Sequence, residues 1–393
     1  MLSFRPLGCT LLRQATKMMR CTRPSTTRAM ASSSATVTIG ILRETYGPWE
    51  RRCPLTPNHV RELLQRHPHV RVLVQPCQRR VFPPDEYERV GAVLTNDLSE
   101  ADMILGVKRP ADTGLLLPEK TYMFFSHTIK GQPENMPLLK ACLEEHVQFM
   151  DYERLLDDNT GTGANGDRIR RLVSFGRFAG LAGAIDTIHG LGRRLLTEGQ
   201  STPFLSCPPA ILCDDLEQAQ ERFQQIGHKI ISQGLHREEP LVMAVTGKGG
   251  TVHGGVMEML DLLPHEVVSV EDLPVLFETE NSGIGHQQHK VYLLPMATAD
   301  AFKRTDDGSF NRKDFQIDPS NYRSVMAEKV IPYTNTLINC AYWDPRFPRL
   351  LSKDDMRRLY NDGQKRYVFG MDKKKFPAIY DNDPRTSKSI THN

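Results

Sequence analysis

The sequence has no long apolar run and no paired cysteines. None of its apolar stretches approaches the 18 or so residues that a membrane span needs, so we predict no membrane-spanning segment. Its eight cysteines are scattered without any C-x-x-C pair, which argues against a zinc ribbon or a disulfide framework and favours a reducing compartment. His286 and His289 have a spacing compatible with a metal site, but no cysteine or third histidine lies near them in the sequence. A polar loop is the better interpretation, and we predict no bound metal.

Acidic residues are missing from the N-terminal end, where Glu44 is the first carboxylate. Residues 1–42 contain six basic residues among Ser, Thr, Ala and spaced leucines, a composition typical of a cationic amphipathic import helix. We therefore predict a mitochondrial targeting segment at 1–36 and a location in the matrix. The alternative is a disordered N-terminal tail without a targeting signal. Without those six residues, 44 basic residues stand against 47 acidic ones, so the sequence lacks the basic surface that binding of nucleic acid requires.

Apolar segments of strand length alternate with segments of helical spacing from Val37 onward. The pattern predicts strands at 37–42, 70–74, 121–126 and 147–151, a helix end that runs into a strand at 101–108, and helices at 57–67, 84–91 and 136–145. Strands that alternate with helices indicate an α/β domain with a mostly parallel sheet.

The segment 175–195 (FGRFAGLAGAIDTIHGLGRRL) is rich in glycine and alanine. A helix of this kind packs closely against other backbone, and we interpret it as a link between two domains. A second α/β unit begins at Pro240, with predicted strands at 241–245, 266–270, 291–294 and 337–341 and a helix at 251–263. We therefore predict a catalytic domain at 37–195, a dinucleotide-binding domain at 196–362 and a tail without a core pattern at 363–393.

The clearest motif is VTGKGGTVHGG at 245–255, between a predicted strand and a predicted helix. A glycine-rich turn at a helix N-terminus lets backbone N–H groups face a pyrophosphate. Gly247 and Gly249 would supply the tight turn and the close approach, whereas the third glycine of the usual pattern falls at Gly254, later than expected. The alternative is a glycine-rich turn without a ligand. Glu271 and Asp272 follow the next strand and would favour NAD if either met the ribose 2′-hydroxyl.

A second group of polar residues follows the strands of the first domain. Lys108 ends a strand in GVKRP, and His127 ends the next one in FFSHTIKG, with Lys130 close behind. Glu153 follows a strand in FMDYERLL. Residues at the carboxyl ends of neighbouring parallel strands converge on one crevice, where α/β proteins bind ligands. Lys108 and His127 together suit proton transfer to and from a reacting nitrogen.

Two arginine pairs accompany this group, Arg51 with Arg52 before CPLTP and Arg170 with Arg171 before LVSFGRFAG. Arginine pairs bind dicarboxylates bidentately. Taken singly, each of these residues also has an ordinary interpretation, as a surface cation or as a hydrogen-bonded loop histidine.

These motifs resemble lysine–ketoglutarate reductase. The resemblance rests on RRCPLTP, GVKRP, FFSHTIKGQ, DYE and RRLVSFGRFAG in this order, followed by VIPYTNTLINCAYWDPRFPRLL, and runs from about Val37 to Leu359. Fungal saccharopine dehydrogenase, alanine dehydrogenase and the transhydrogenase N-terminal region are the wider relatives. The family continues past PAI with further structure, whereas this sequence reads YDNDPRTSKSITHN there, so we expect a C-terminally truncated reductase half.

The resemblance implies two doubly wound, Rossmann-like α/β domains with the active site in the cleft between them. It implies that NADPH, or NADH as the alternative, reduces the imine of L-lysine and 2-oxoglutarate to saccharopine. Lys108 and His127 take the acid/base roles; Arg52, Lys130, Glu153 and Arg171 bind substrate; Gly247, Gly249 and Gly254 bind the cofactor. We also expect a homo-oligomer. Two alternatives stay open, an alanine dehydrogenase-like enzyme and a non-catalytic nucleotide-binding remnant.

Overall fold

The structure, a computed structural model, describes residues 36–156, 171–237, 239–280, 288–343 and 345–361. The chain divides into two compact units with the boundary between Ser174 and Phe175. The predicted tail at 363–393, and the predicted targeting segment up to residue 35, lie outside the described residues.

The first unit alternates strands and helices as the sequence predicts. Its strands are β1 Val37–Ile41, β2 Val70–Val74, β3 Val93–Leu94, β4 Met103–Lys108, β5 Thr121–Phe125 and β6 Gln148–Asp151. Its α-helices are α1 Pro57–Arg66, α2 Pro84–Arg89 and α3 Met136–Glu144.

All strand pairs of this sheet are parallel, in the order β3-β2-β1-β4-β5-β6. This is the order of a doubly wound domain, which confirms the predicted fold class for the first unit. The strand order reverses between β1 and β4, and ligands of such sheets bind at that switch point, beyond the carboxyl ends of the strands. The two faces of the sheet are covered by separate hydrophobic clusters, one around Ile41 and Tyr87 and the other around Ile104 and Phe124.

The start of α1 shows how the sequence fixes the first residue of a helix. The hydroxyl of Thr56 accepts from the backbone N–H of His59 at 3.3 Å, and the ring Nδ1 of His59 accepts from the N–H of Thr56 at 3.4 Å. This reciprocal cap satisfies N–H groups that the first turn leaves open, and Pro57 needs no donor at that position. The preceding segment, which contains Arg52, therefore ends at a defined point.

The second unit contains α-helices α4 Gly176–Thr197, α5 Leu216–Gln233, α6 Thr251–Leu260, α7 Leu273–Glu280, α8 Thr298–Ala301, α9 Arg312–Ile317, α10 Met326–Lys329 and α11 Lys353–Asn361. Its strands are β7 Val242–Thr246, β8 His265–Val267, β9 Val291–Met296, β10 Phe302–Arg304, β11 Tyr322–Ser324 and β12 Thr336–Ile338. Four strands form a parallel sheet in the order β12-β7-β9-β8, and β10 and β11 form a separate two-stranded antiparallel sheet. A parallel sheet with helices between its strands is again Rossmann-like.

Helix α4 belongs to the second unit, whereas the sequence analysis places most of it at the end of the first domain. The reason is its row of small residues. A Cβ on Gly180 would overlap the carbonyl oxygen of Val252 in α6, and a Cβ on Gly255 in α6 would overlap the carbonyl oxygen of Arg177. Both glycines therefore let α4 and α6 cross with their backbones in contact, which fixes α4 to the glycine-rich helix and moves the boundary to Ser174.

Candidate active site

Lys108 and His127 lie side by side at the carboxyl edge of the first sheet. Lys108 is the last residue of β4, and His127 follows the end of the neighbouring strand β5. The Lys108 Nζ atom lies 3.4 Å from Nε2 of His127, a long hydrogen-bond contact that has to shorten to about 2.6–3.2 Å for a proton to pass directly between the two groups. The structure thus brings together the two residues that the sequence predicts as the acid/base pair.

Glu153 continues the chain of polar contacts on the other side of the imidazole. It lies in a short 3-10 helix, Tyr152–Arg154, which follows β6, and its side chain is only 4% exposed. Its Oε1 atom lies 3.3 Å from Nδ1 of His127 and 3.2 Å from Nη1 of Arg171. A carboxylate at Nδ1 favours the tautomer that carries its proton there, so that Nε2 of neutral His127 presents a lone pair toward Lys108.

The second oxygen of Glu153, Oε2, is buried without a hydrogen-bond partner among the described residues. Because a buried carboxylate oxygen costs free energy when it is unpaired, this atom marks a place where a donor, such as the amine of a substrate, would be stabilised.

The backbone of His127 adopts the left-handed conformation, with φ 57° and ψ 18°. Few residues other than glycine adopt this conformation, and strain of this kind is concentrated at functional sites. Asp151 holds the turn because its carboxylate accepts the hydroxyl proton of Ser126 through Oδ2 and the N–H of Glu153 at 2.8 Å through Oδ1. Asp151 therefore ties the end of β5 to the end of β6, a role that the sequence analysis missed.

Arg52 lies in the segment before α1 and is engaged by a neighbour. Its guanidinium donates twice to the carboxylate of Glu50, at 2.8 Å each, and its backbone N–H donates to the same side chain. Burial would raise the pKa of Glu50, but the hydrogen bond and charge of Arg52, with a smaller contribution from Lys108, lower it. Arg52 thus lies in an ion pair with Glu50, whose carboxylate is within electrostatic reach of Lys108.

The remaining predicted binding residues are less well defined by the structure. The backbone of Lys130 ends the short helix after His127, and its side chain lies outside what the structure describes. Arg170 is also outside the described residues. Their predicted roles stay predictions.

Glu44 is a residue of this site that the sequence analysis did not single out. It follows β1, is only 3% exposed, and accepts the backbone N–H of Val107 at 2.6 Å and that of Lys108 at 3.1 Å. Burial raises its pKa, against the effect of these two hydrogen bonds and of the nearby charge of Arg80. Its position beyond a strand end was the signal available in the sequence, since the other site residues share it.

The glycine-rich loop of the second unit lies between β7 and α6, as predicted. Gly247 and Gly249 have φ angles of +77° and +85°, a conformation that a side chain disfavours. A Cβ on Gly247 would lie 3.0 Å from the carbonyl carbon and oxygen of Cys340, whereas one on Gly249 would meet nothing within 4 Å. The loop is therefore tight on one side and open on the other, a cradle that fits the pyrophosphate of a dinucleotide.

Gly254 does not lie in this loop. It is an exposed residue of α6, and its N–H donates to the carbonyl of Gly250 at 2.9 Å as part of the helix. This bond argues against a contact between that N–H and a phosphate. Gly254 and Gly255, the last two glycines of the motif, are both residues of helix α6, and Gly255 makes the close backbone contact with α4.

The acids considered for the ribose lie just before α7. Asp272 accepts both the N–H and the hydroxyl of Ser269, at 2.8 and 2.7 Å, and these bonds lower its pKa. Its carboxylate is thus already used in a local cap, and Glu271 beside it is exposed.

Across the described ranges, no three His, Cys, Asp or Glu side chains gather closely enough to hold a metal ion. His286 lies outside these ranges, and Nδ1 of His289 donates to the carbonyl of Ile231 at 2.8 Å. Within the same ranges, no helix combines the length and the hydropathy of a membrane span.

Comparison with known proteins agrees with the motifs. Residues 40–164 match the alanine dehydrogenase/PNT N-terminal domain. Alpha-aminoadipic semialdehyde synthase of Arabidopsis thaliana is 41% identical over 336 residues, which cover 83% of this chain and 30% of that protein. The mitochondrial alpha-aminoadipic semialdehyde synthase of Mus musculus is 36% identical over 348 residues, 87% of this chain and 35% of that protein.

Saccharopine dehydrogenase (NAD(+), L-lysine-forming) of Candida glabrata is 28% identical over 153 residues, 38% of each chain. The chain spans about a third of the length of the synthases that it matches. The similarity to those synthases nevertheless runs through more than four fifths of this chain, including both α/β units. By these matches the chain belongs to the family of alpha-aminoadipic semialdehyde synthase, and its first unit carries the alanine dehydrogenase/PNT N-terminal domain.

Proposed function

We propose that this chain condenses L-lysine with 2-oxoglutarate and reduces the resulting imine to saccharopine with a nicotinamide cofactor. The observation that carries the proposal is the continuous polar chain Lys108–His127–Glu153–Arg171 at the carboxyl edge of the first sheet. Proton-transfer groups held 3.3–3.4 Å apart suit a reaction in which one nitrogen gains and loses protons repeatedly. Membership of the synthase family supports the choice of substrates.

The proton transfers follow from the balance of the reaction. As the lysine nitrogen bonds to the keto carbon of 2-oxoglutarate, it loses protons, and the former keto oxygen leaves as water after receiving two. Neutral His127 accepts each of these two protons in turn at Nε2, and protonated Lys108 beside it donates each of the two that the departing oxygen receives. After each transfer the proton on His127 passes to Lys108, which restores both groups. Glu153 stabilises the imidazolium through Nδ1, as a carboxylate does in other acid/base chains.

The arginines would hold the carboxylates of the substrates. Arg171 donates through Nη1 to Glu153, and the rest of its guanidinium has no acceptor among the described residues, so it could make a planar bidentate contact with a carboxylate. Arg52 is held by Glu50, so a substrate carboxylate would compete with Glu50 for the same guanidinium. Lys130 is proposed as a further ligand on the basis of the motif alone.

The cofactor would bind to the glycine-rich loop of the second unit. The open space beside Gly249 and the N–H groups of the first turn of α6 provide a place for a pyrophosphate. When bound, a reduced nicotinamide supplies the hydride that reduces the imine carbon. We propose NADPH as this cofactor, because the carboxylate of Asp272 is engaged by Ser269. NADH is the alternative, which the exposed Glu271 would favour if it met the ribose.

We also propose that the chain acts in the mitochondrion. The support is the cationic, acid-free composition of residues 1–42 and the mitochondrial location in the name of the Mus musculus relative. Mass spectrometry of the protein from isolated mitochondria should find an N-terminus between about residues 20 and 37.

The experiment that tests the reaction is an assay of NADPH and NADH oxidation by the purified chain with lysine plus 2-oxoglutarate. We expect oxidation that requires both substrates, and a product with the mass of saccharopine. Omitting lysine provides the control for an unspecific oxidase. Oxidation with pyruvate and ammonia in place of this pair would identify an alanine dehydrogenase-like enzyme. No oxidation with either pair would contradict the proposal and indicate a non-catalytic module.

A further inference from the structure

The strand that carries Lys108 is irregular just before this residue. In the pairing of β4 with β5, Leu105 lies opposite Met123 and Lys108 lies opposite Phe125, with a shift of register between them. Three steps along β4 therefore match two along β5, so β4 contains one extra residue, a β-bulge. Bulges are frequent next to active sites, where they re-aim a side chain.

The carboxylate of Glu44 lies directly against this bulge. It accepts the N–H groups of two consecutive residues, Val107 and Lys108, one with each oxygen. In a regular strand, successive N–H groups point to opposite sides, so one carboxylate reaches both only because the strand is bulged. Gly106 permits the bend, since a Cβ there would lie 3.1 Å from the carbonyl oxygen of Lys108.

The same contact has a consequence for the direction of the Lys108 side chain. A change of register by one residue turns every following side chain to the other face of the sheet. Without an acceptor for the two N–H groups, a regular β4 would become the competing arrangement, because buried N–H groups require partners. Lys108 would then point away from His127, which is 3.4 Å from it in the bulged form.

We propose that Glu44 is a positioning residue that holds the β4 bulge and thereby aims Lys108 at His127. This inference rests on the proposed function, because it assigns Glu44 a part in that reaction through Lys108. Arg80 also contacts the segment that carries Glu44. It is only 3% exposed, its guanidinium donates to the carbonyl of Leu42 at 2.9 Å, and its charge favours the ionised form of Glu44.

The test compares Glu44→Gln with Asp102→Asn in the full chain. The glutamine keeps the volume of Glu44 but turns an NH₂ group toward one of the two N–H donors, so one bond is lost. Asp102 is the matched control because its carboxylate accepts the N–H of Thr38 at 2.8 Å at the opposite end of β4. Hydrogen exchange followed by mass spectrometry measures how well the backbone N–H groups of the bulge are protected. The rate at which an amine reagent labels Lys108 measures the accessibility of its side chain. The oxidation assay measures turnover.

We expect Glu44→Gln to accelerate exchange at residues 107 and 108 by about tenfold or more, to change the labelling rate of Lys108, and to lower kcat by about 10²-fold. The KM for the nicotinamide cofactor should not change, and Asp102→Asn should alter none of these values. Faster exchange with unchanged labelling and kcat would overturn the inference, because Glu44 would then be structural only. Unchanged exchange at 107 and 108 would also overturn it. If the wild type has no turnover, the proposed function fails, and exchange with labelling still decides whether Glu44 directs Lys108.

Discussion

The two units differ in the residues that follow the strands at the carboxyl edge of their parallel sheets. In the first unit the strands β1, β4, β5 and β6 are followed or ended by charged side chains, several of them buried, such as Glu44 and Glu153. In the second unit β7 is followed by glycines, and what matters at Gly247 is the side chain that is missing. The difference matches the two tasks that we propose for the two units. Proton transfer requires side chains held at fixed distances, whereas pyrophosphate binding requires bare backbone.

The strongest test of this comparison exchanges one residue in each unit. Lys108→Met should lower turnover by roughly 10²–10⁴-fold, the usual effect of losing a positioned acid or base. Its affinity for the dinucleotide, measured by calorimetry, should stay that of the wild type.

Gly247→Val should instead weaken dinucleotide binding. A β-branched residue at φ +77° and 3.0 Å from the backbone of Cys340 distorts the loop. The affinity should fall by about 10–100-fold, corresponding to the strain of such a residue.

Gly199→Val is the control for backbone strain alone. Gly199 also has a positive φ, +76°, but it lies beyond the end of α4, and a Cβ there would meet nothing within 4 Å. This variant should lose some stability and keep its dinucleotide affinity. If Lys108→Met and Gly247→Val weaken the same property, the division of labour between the units is wrong.

A second test concerns two neighbouring glycines of α6 and measures stability by urea unfolding. Gly255→Ala should destabilise the second unit by about 1–3 kcal/mol or more, because the new methyl group overlaps the backbone of Arg177 and a backbone cannot rotate away. Gly254→Ala should stabilise it by up to ~1 kcal/mol, since this position is exposed and alanine favours the helix.

The same pair decides the role of Gly254. The glycine pattern of the sequence predicts that Gly254 binds the cofactor, whereas its N–H is used inside the helix. We therefore expect Gly254→Ala to keep the dinucleotide affinity of the wild type. A tenfold loss of affinity in this variant would restore the prediction from the sequence.

Much of the first unit could be predicted from the sequence because short-range patterns determine it. The strand at 70–74 has the predicted bounds. Because ligands bind beyond the ends of parallel strands, the sequence analysis grouped Lys108, His127 and Glu153, and in the structure these side chains are in contact. Glu44 escaped the prediction because its partners are backbone N–H groups more than 60 residues away, in a bulge that no local pattern reveals.

In the second unit the sequence analysis overlooked helix α5, although a signal was present. Asp215 caps it by accepting the N–H of Gln218 at 2.8 Å, and Ala219, Phe223 and Ile230 form its buried stripe. The stripe is narrow between long polar stretches, so the helix is stabilised by packing rather than by overall hydrophobicity. The predicted strand at 337–341 ends earlier, at Ile338, because the N–H of Cys340 donates to the hydroxyl of Thr246 instead of continuing the ladder.

The smallest expected effect concerns the one histidine that lies beside the glycines of α6. His253 is 8% exposed, and its Nε2 atom has no hydrogen-bond partner among the described residues. Burial, together with the charge of Lys248, lowers the pKa of His253 below its ordinary value of 6.5. The folded state therefore favours the neutral ring, while the unfolded chain takes up a proton as the pH falls through about 6.5. The contribution of His253 to stability is complete above this pH and is lost as the pH falls toward the lowered pKa.

We therefore expect the melting temperature to fall further between about pH 7.5 and pH 5.5 in the wild type than in His253→Asn. The difference should be a few degrees at most, since ~1 kcal/mol shifts the Tm of a unit of this size by roughly 2–4 °C. His228→Asn, at an exposed position of α5 in the same unit, is the matched control and should behave as the wild type does. An equal pH dependence in His253→Asn and the wild type would show that His253 is protonated without cost in the folded state. The second unit would then resemble the first, in which the ionisable side chains of Glu44 and Glu153 are buried.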